Sequence, residues 1–271
     1  MTKWVFLNGD FVDEEKAALH FRDLSFQRGY GIFDFFRLVE NQPLFLEDHL
    51  DRFYFSACGM HLAIPFSREE LTSVILDLIQ KNSQPNTGVR LSLTGGYSED
   101  GFNLGAPNLL ISQHSFSPPT AEQQQTGIKL TACPHQRQLA HIKSIDYLMA
   151  VWLQPARVKK GADDILYYQN GLISECPRSN FFLVTKENTI LTPSENVLKG
   201  ITRKKVMELA KKHYEVEERE IRLEELLAAR EAFVTSTTKQ ILPVRQIDEV
   251  GFKSTEVSNH LLQLFRNAYS C

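Results

Sequence analysis

Cysteine is scarce in this chain, and its four copies (Cys58, Cys133, Cys176 and Cys271) are scattered with no CxxC pair among them. That spacing excludes a disulfide framework and a thiolate metal cluster, and it fits a reduced, cytoplasmic protein. Long apolar runs are missing as well. None approaches the roughly 18 residues at which a membrane span is suspected. The start, MTKWVFLNGDFV, lacks the charged stretch, apolar core and small-residue cleavage site of a secretion signal. There is no excess of positive charge: 30 Lys and Arg stand against 33 Asp and Glu. A broad basic face for nucleic acid or anionic membrane is therefore not expected, and small charged substrates must be held by local charges.

Other absences narrow the chemistry. The eight histidines form no HxxxH or HExxH pair, so no metal site is expected. Gly29 and Gly31 lack the third glycine of a dinucleotide-binding turn. A GxxxxGKS/T phosphate loop and a GxSxG nucleophile elbow are both absent.

What is present is an ordinary globular composition. With 42% of 271 residues hydrophobic, there is core enough for one large domain or two moderate ones. Trp4 to Leu7, Asn8-Gly9 and Phe11-Val12 read as a hairpin. GIFDFFRLV at 31–39 reads as a strand, followed by the Asn41-Gln42-Pro43 turn and a second hairpin arm at LFL. Leu50, Phe53, Tyr54 and Ala57 share one helical face. Ser67 and Glu70 form a capping box before LTSVILDLIQ. VRLSLT and NLLISQ read as strands. SPPTAEQQQT, at 117–126, is polar, holds two prolines and lacks apolar periodicity, which marks a domain boundary there. Beyond it the pattern predicts a strand at IKLTA, a helix near 144–159, a turn at Asn170-Gly171, and strands at SNFFLV and TILTP. A helix follows Gly200, strands fall at 233–235 and 242–247, and a last helix spans STEVSNHLLQLFRNAY. The mixture predicts an α/β or α+β protein with two unequal lobes.

HIKSIDYL, ISECPRSNFF, LKGITRKKVMELA and TSTTKQILPV resemble consecutive signatures of the class IV aminotransferases. These are the fold-type IV group of pyridoxal-phosphate enzymes. RGYGIFDFFR and FLEDHLDRF resemble its N-terminal signatures. The six blocks stand in family order and span nearly the whole chain. The group contains branched-chain aminotransferases, D-amino acid aminotransferases and aminodeoxychorismate lyases.

The resemblance implies a two-domain fold. A small N-terminal α/β domain would span 1–118, a linker 119–126, and a larger C-terminal pseudo-barrel domain 127–271. It also implies a homodimer and pyridoxal 5'-phosphate as cofactor. Lys143 matches the lysine that holds that cofactor as a Schiff base and moves the Cα proton. Only a primary amine forms an exchangeable imine with an aldehyde. Alone, a lysine is most often a solvated surface residue. Glu175 matches the acid beside the pyridine nitrogen, where a carboxylate favours the protonated ring. Arg52, Ile201, Thr202, Ser236 and Thr237 match the phosphate site, through a guanidinium fork, helix-start N–H groups and hydroxyls. Leu198 matches a residue packed on the ring, and Tyr147 falls four residues after Lys143.

The chain also departs from the family pattern. Tyr30 replaces an aspartate, Asp34 a glutamate, and Phe33 a frequent tyrosine near the substrate. LTGGYSEDGFNLG lacks the arginine and histidine that trap the carboxylate in well-known D-amino acid enzymes. It also lacks the loop arginine of the lyases. Arg178, three residues after Glu175, and Arg28, before the GYGIF strand, are the arginines expected to hold the α-carboxylate instead, since a bidentate guanidinium suits a carboxylate best. The expected reaction is transamination between an amino acid, with D-amino acids favoured, and a 2-oxo acid. The alternatives are a branched-chain L-amino acid aminotransferase, a 4-amino-4-deoxychorismate lyase and a non-catalytic cofactor-binding paralogue.

Overall fold

In the first segment of chain, Trp4–Leu7 (β1) and Asp10–Asp13 (β2) pair antiparallel through a turn whose residues, Asn8 and Gly9, both take positive φ. A computed structural model describes residues 3–84 and 86–269, so Cys271, Met1 and Thr2 of the sequence reading lie outside the described residues. The chain divides into two compact units. One comprises Met1–Phe116 with Ile142–Asp146, the other Ser117–His141 with Tyr147–Cys271.

The first unit continues with Leu24–Arg28 (α1), Gly31–Val39 (β3), Gln42–Pro43 (β4), Leu46–Gly59 (α2), Arg68–Asn82 (α3), Thr87–Thr94 (β5) and Leu109–Ser115 (β6). Its antiparallel sheet runs in the order β2-β1-β6-β5-β3-β4. The return arm is Gln42–Pro43, inside the stretch read as the turn, and LFL forms no strand: Leu44 and Phe45 are turn residues and Leu46 starts α2. Alternation along β3 sends Ile32, Phe36 and Leu38 into one core with Leu50 and Phe53 of α2 and Leu71, Ile75 and Leu78 of α3. α3 begins under the expected capping box, with Ser67 accepting from Glu70 N–H and Glu70 accepting from Ser67 N–H.

Ile142 joins this core, 1% exposed. A Cβ at Gly59 would stand 2.7 Å from its Cδ1, so only glycine leaves it room. The neighbours of Ile142 are held by the edge of β3. Phe33 N–H donates to Lys143 O at 2.9 Å, and Ile145 N–H donates to Gly31 O at 3.0 Å. This engagement is why the helix expected near 144–159 does not start there. Two short helices follow instead, Leu148–Trp152 and Gln154–Lys159, the second with Pro155 in its first turn.

In the second unit, Ala121–Thr126 (α4), inside the stretch read as a linker, is a helix under a Thr120–Gln123 capping box. Next come Ile128–Pro134 (β7), the two short helices just given (α5 and α6), Asp164–Gln169 (β8), Leu172–Ile173 (β9), Glu175–Cys176 (β10), Ser179–Val184 (β11) and Ile190–Thr192 (β12). Ile201–Ala210 (α7), Val216–Glu218 (β13), Glu231–Ser236 (β14), Gln240–Ile247 (β15), Val250–Gly251 (β16) and Glu256–Tyr269 (α8) complete it. The sheet order is β13-β12-β11-β14-β15-β7-β8-β9, with β10 on β11 and β16 on β15. The sheet is mixed: β7 runs parallel to both β15 and β8. Phe181, Leu183, Val234, Leu242 and Leu130 form its central core. Glu231, fully buried, accepts from the N–H groups of Val257 and Ser258 and so anchors the start of α8.

Candidate active site

In the first unit, the backbone of Lys143 is held from two sides. Its carbonyl accepts from Phe33, and its N–H donates to Ser56 Oγ at 3.3 Å. The half-buried side chain carries Nζ to 4.6 Å from the centroid of the Phe33 ring. Arg90 places its guanidinium carbon 4.1 Å from the same centroid. One aromatic ring thus has two cations on it, a contact that attracts each through the ring quadrupole. Arg90 Nε also donates to Ser92 Oγ at 3.2 Å.

Arg52, expected at a phosphate, meets a carboxylate in this unit. Nε donates to Asp34 Oδ2 and Nη2 to Asp34 Oδ1, each at 2.8 Å. His49 Nδ1 lies 2.7 Å from the same Oδ1, and both His49 and Asp34 are buried. Burial alone would raise the Asp34 carboxyl, but the Arg52 and His49 charges and hydrogen bonds outweigh it and hold the group below the usual carboxylate range. Burial pushes His49 below the ordinary histidine value. Asp34 opposes that shift, while the charges of Arg52 and Lys143 add to it. Arg28 closes α1, whose N-cap is Asp23. It is exposed, donates from Nη1 to Gln27 O, and has Nη2 3.4 Å from where a Cβ of Gly101 would stand.

In the second unit, Glu175 is 3% exposed and accepts from three donors. They are Arg137 Nη1 at 3.0 Å, Leu198 N–H at 3.0 Å and Asn180 Nδ2 at 3.2 Å. Glu175 and Leu198, both expected at a cofactor ring, are therefore bonded directly. Asn180 also donates to Leu198 O at 2.7 Å. A Cβ at Gly200 would fall 2.1 Å from Asn180 Oδ1, so glycine is required for this approach. Gly200 is the N-cap of α7 and brings no side-chain acceptor to the first-turn N–H groups of Ile201 and Thr202. Asn180 is also the register partner of Thr235, which brings the end of β14 to the same place. Thr235 Oγ1 is buried and has no hydrogen-bond partner among the described residues. Ser236 and Thr237 follow it, half-buried at the turn.

Arg178 is exposed, and among the described residues no ion pair engages it. Tyr147 is the N-cap of α5, and residues 143–147 are not helical. Among the described residues, no three His, Cys, Asp or Glu side chains converge to hold a metal ion. Arg90, His49, Arg137, Asn180 and Thr235 were not singled out in the sequence. His49 had a signal there, since it precedes Arg52 by three residues on one helix face. Thr235 stood inside the TSTTKQ block. Arg90 and Arg137 carried no local signal.

The chain has relatives among known proteins. Residues 31–247 match the family model described as amino-transferase class IV. The D-alanine aminotransferase of Bacillus licheniformis is 30% identical over 250 residues, covering 90% of this chain and 88% of that one. A Methanocaldococcus jannaschii protein assigned as a branched-chain-amino-acid aminotransferase is 31% identical over 253 residues, with 90% and 88% covered. In fold, the T.th. branched-chain amino acid aminotransferase, solved with pyridoxamine 5'-phosphate, matches at a TM-score of 0.90 and 24% identity, over 99% of this chain and 94% of that one. With the model spanning both units and these relatives spanning nine-tenths of the chain, the chain belongs to the class IV aminotransferases.

Proposed function

We propose that this enzyme moves an amino group between an amino acid, preferentially of the D configuration, and a 2-oxo acid, with Lys143 as its catalytic amine. The observation that carries this reading is the fixing of Lys143 by Phe33 and Ser56, with Nζ over the Phe33 ring. The class makes pyridoxal 5'-phosphate the cofactor. When bound, that group supplies an aldehyde that condenses with amines and a protonated ring that withdraws electrons from the substrate Cα.

The residues present fit it. The orphaned hydroxyl of Thr235 and the open N–H groups at the start of α7 suit an anion, with Ser236 and Thr237 beside them. In this reading Ile201, Thr202, Ser236 and Thr237 take the phosphate, and Arg52 is a further candidate for it. Glu175, held by Arg137, Asn180 and the Leu198 N–H, faces the ring nitrogen in this reading. Leu198 packs on the ring, and the Tyr147 hydroxyl serves the region near the Lys143 amine. The Lys143 amine would hold the aldehyde and, when free, would carry a proton from the substrate Cα. The net exchange turns the amino acid into a 2-oxo acid and a second 2-oxo acid into an amino acid.

Arg28 and Arg178 bind the α-carboxylate in this reading, and Phe33 borders the substrate. Their exposure and the absence of an ion pair on Arg178 among the described residues support this assignment. Arg90, beside Phe33, adds a third cation for carboxylate substrates. The second reading is a branched-chain L-amino acid substrate, which the apolar Phe33 ring favours. Mixing the holoenzyme with D-alanine or D-glutamate, without an acceptor, tests the choice by the visible absorbance of the cofactor. Decay with the D-amino acids supports the first reading. Decay only with L-leucine or L-valine establishes the second.

We further infer a cytoplasmic homodimer. No helix among the described residues is long and apolar enough to cross a membrane, and Cys58, Cys133 and Cys176 are free thiols. In the first unit Phe21, Phe26 and Phe102 are 63%, 80% and 81% exposed, and exposed aromatic side chains favour cover by a second copy. Sedimentation of the protein as a monomer would overturn the dimer.

A further inference from the structure

Lys239 stands in the turn that follows Ser236 and Thr237, and its two ends point to different parts of the second unit. Its backbone N–H donates to Ser236 Oγ at 3.2 Å, inside the turn. Its ammonium leaves the turn and donates to Asp164 Oδ2 at 2.8 Å and Ser179 Oγ at 2.9 Å. The pair is largely shielded, with the two side chains 18% and 12% exposed. Asp164 opens β8. Ser179 opens β11 and is the register partner of Cys176, the residue after Glu175. Glu175 itself pairs with Asn180, the residue after Ser179. One ammonium therefore bonds the Ser236–Thr237 turn to the hairpin that carries Glu175.

We propose that Lys239 is a positioning residue that fixes the spacing between the phosphate-binding turn and the acid that meets the ring nitrogen. The proposal rests on the reading of Ser236, Thr237 and Glu175 given above. A pyridoxal phosphate ring is rigid, with the nitrogen and the phosphate arm at separate positions, so both anchors must be held in register to be satisfied together. A shift of one anchor by about 1 Å is enough to lose much of such binding. Lys239 acts through its neighbours: its ammonium is spent on Asp164 and Ser179, and its N–H on Ser236. Loss of the ammonium would also leave Asp164 without its partner in a shielded place, and that charge would draw the turn or the strand out of position.

The test is a binding titration of apo-protein with pyridoxal 5'-phosphate and, separately, with pyridoxal, followed by quenching of tryptophan fluorescence. The expected result for Lys239→Met is an affinity for pyridoxal 5'-phosphate about tenfold or more weaker, the loss of one charge-assisted bond. Pyridoxal has no phosphate, so its affinity should change by less than about threefold. Lys239→Arg should recover most of the loss, because a guanidinium can reach both acceptors. Asp164→Asn cuts the same ion pair from the other side and should repeat the Lys239→Met pattern, and it decides the matter if Lys239→Met does not fold. Unchanged affinity for pyridoxal 5'-phosphate in the variant overturns the proposal. Equal loss for both compounds also overturns it, since Lys239 would then support the fold without setting the spacing. If the wild-type protein binds neither compound, the cofactor reading fails and the proposal falls with it.

Discussion

Asp34 and Arg52 meet through two parallel hydrogen bonds of 2.8 Å, and His49 closes on the same carboxylate at 2.7 Å. The carboxylate is fully buried, so its charge is stable only because these partners face it. Asp34→Asn removes the charge and leaves Arg52 and His49 without it. Breaking a buried pair from one side typically costs about 3–5 kcal/mol, so a drop in unfolding free energy of that order is expected. Denaturant unfolding of the apo-protein measures it. A loss below about 1 kcal/mol, typical of exposed pairs, would show that the cluster is solvated.

The same cluster gives stability a dependence on pH. Burial, with the Arg52 and Lys143 charges, holds His49 below the ordinary histidine value. In the unfolded chain it titrates near the reference value of about 6.5. As pH falls through that value, the unfolded state takes up a proton that the native state refuses, and stability falls. The contribution is complete above about pH 7 and declines towards pH 5, by at most about 1.4 kcal/mol per pH unit. His114 adds to the slope in the same direction, lowered by burial and by Lys3 and Arg90, with Glu14 opposing. His49→Gln should therefore flatten the slope between pH 7 and 5 without abolishing it. An unchanged slope in this variant would mean that His49 takes up its proton equally in the native and unfolded states.

Much of this was legible where structure is local. The alternation in GIFDFFRLV, the Ser67–Glu70 capping box and the Asn170-Gly171 turn each depend on residues a few positions apart, and each formed as read. The 144–159 segment was misread for a physical reason. Ile145 and Lys143 bond to β3, more than a hundred residues earlier, and no periodicity within the segment records that. Arg90 escaped notice for the same reason: its partner Phe33 lies across the β3–β5 pairing. Arg137 reaches Glu175 over 38 residues. Asp34 was read as a departure from the family glutamate, but its grip on Arg52 needed the strand and helix to be docked.

Glu175 yields a third prediction. Its carboxylate is held by Arg137, Asn180 and the Leu198 N–H. Glu175→Gln retains the shape and an acceptor but loses the charge that favours a protonated ring. An opposite charge at this range shifts such a group by about 1–3 pKa units, so kcat should fall roughly 10- to 1000-fold. The affinity for pyridoxal 5'-phosphate should change much less, because the phosphate anchors lie elsewhere. A variant with wild-type kcat would remove Glu175 from the chemistry.

A variant at Arg178 tests substrate binding apart from cofactor binding. It is exposed, and no ion pair engages it among the described residues, so truncation leaves no buried charge behind. Arg178→Ala should leave the unfolding temperature and the affinity for pyridoxal 5'-phosphate unchanged. If its guanidinium holds the α-carboxylate, one charge-assisted contact of about 1.5–3 kcal/mol is lost, and KM should rise roughly 10- to 100-fold. Arg178→Lys should recover only part of this, because an ammonium cannot match a carboxylate with two parallel bonds. The amine that lacks a carboxylate is the control. A simple alkylamine, if turned over at all, should be used equally well by the wild type and Arg178→Ala, since it offers nothing for the guanidinium to bind. An unchanged KM for D-alanine and D-glutamate would transfer the carboxylate to another cation, and Arg90, stacked on Phe33 in the same unit as Lys143, would be the next to replace.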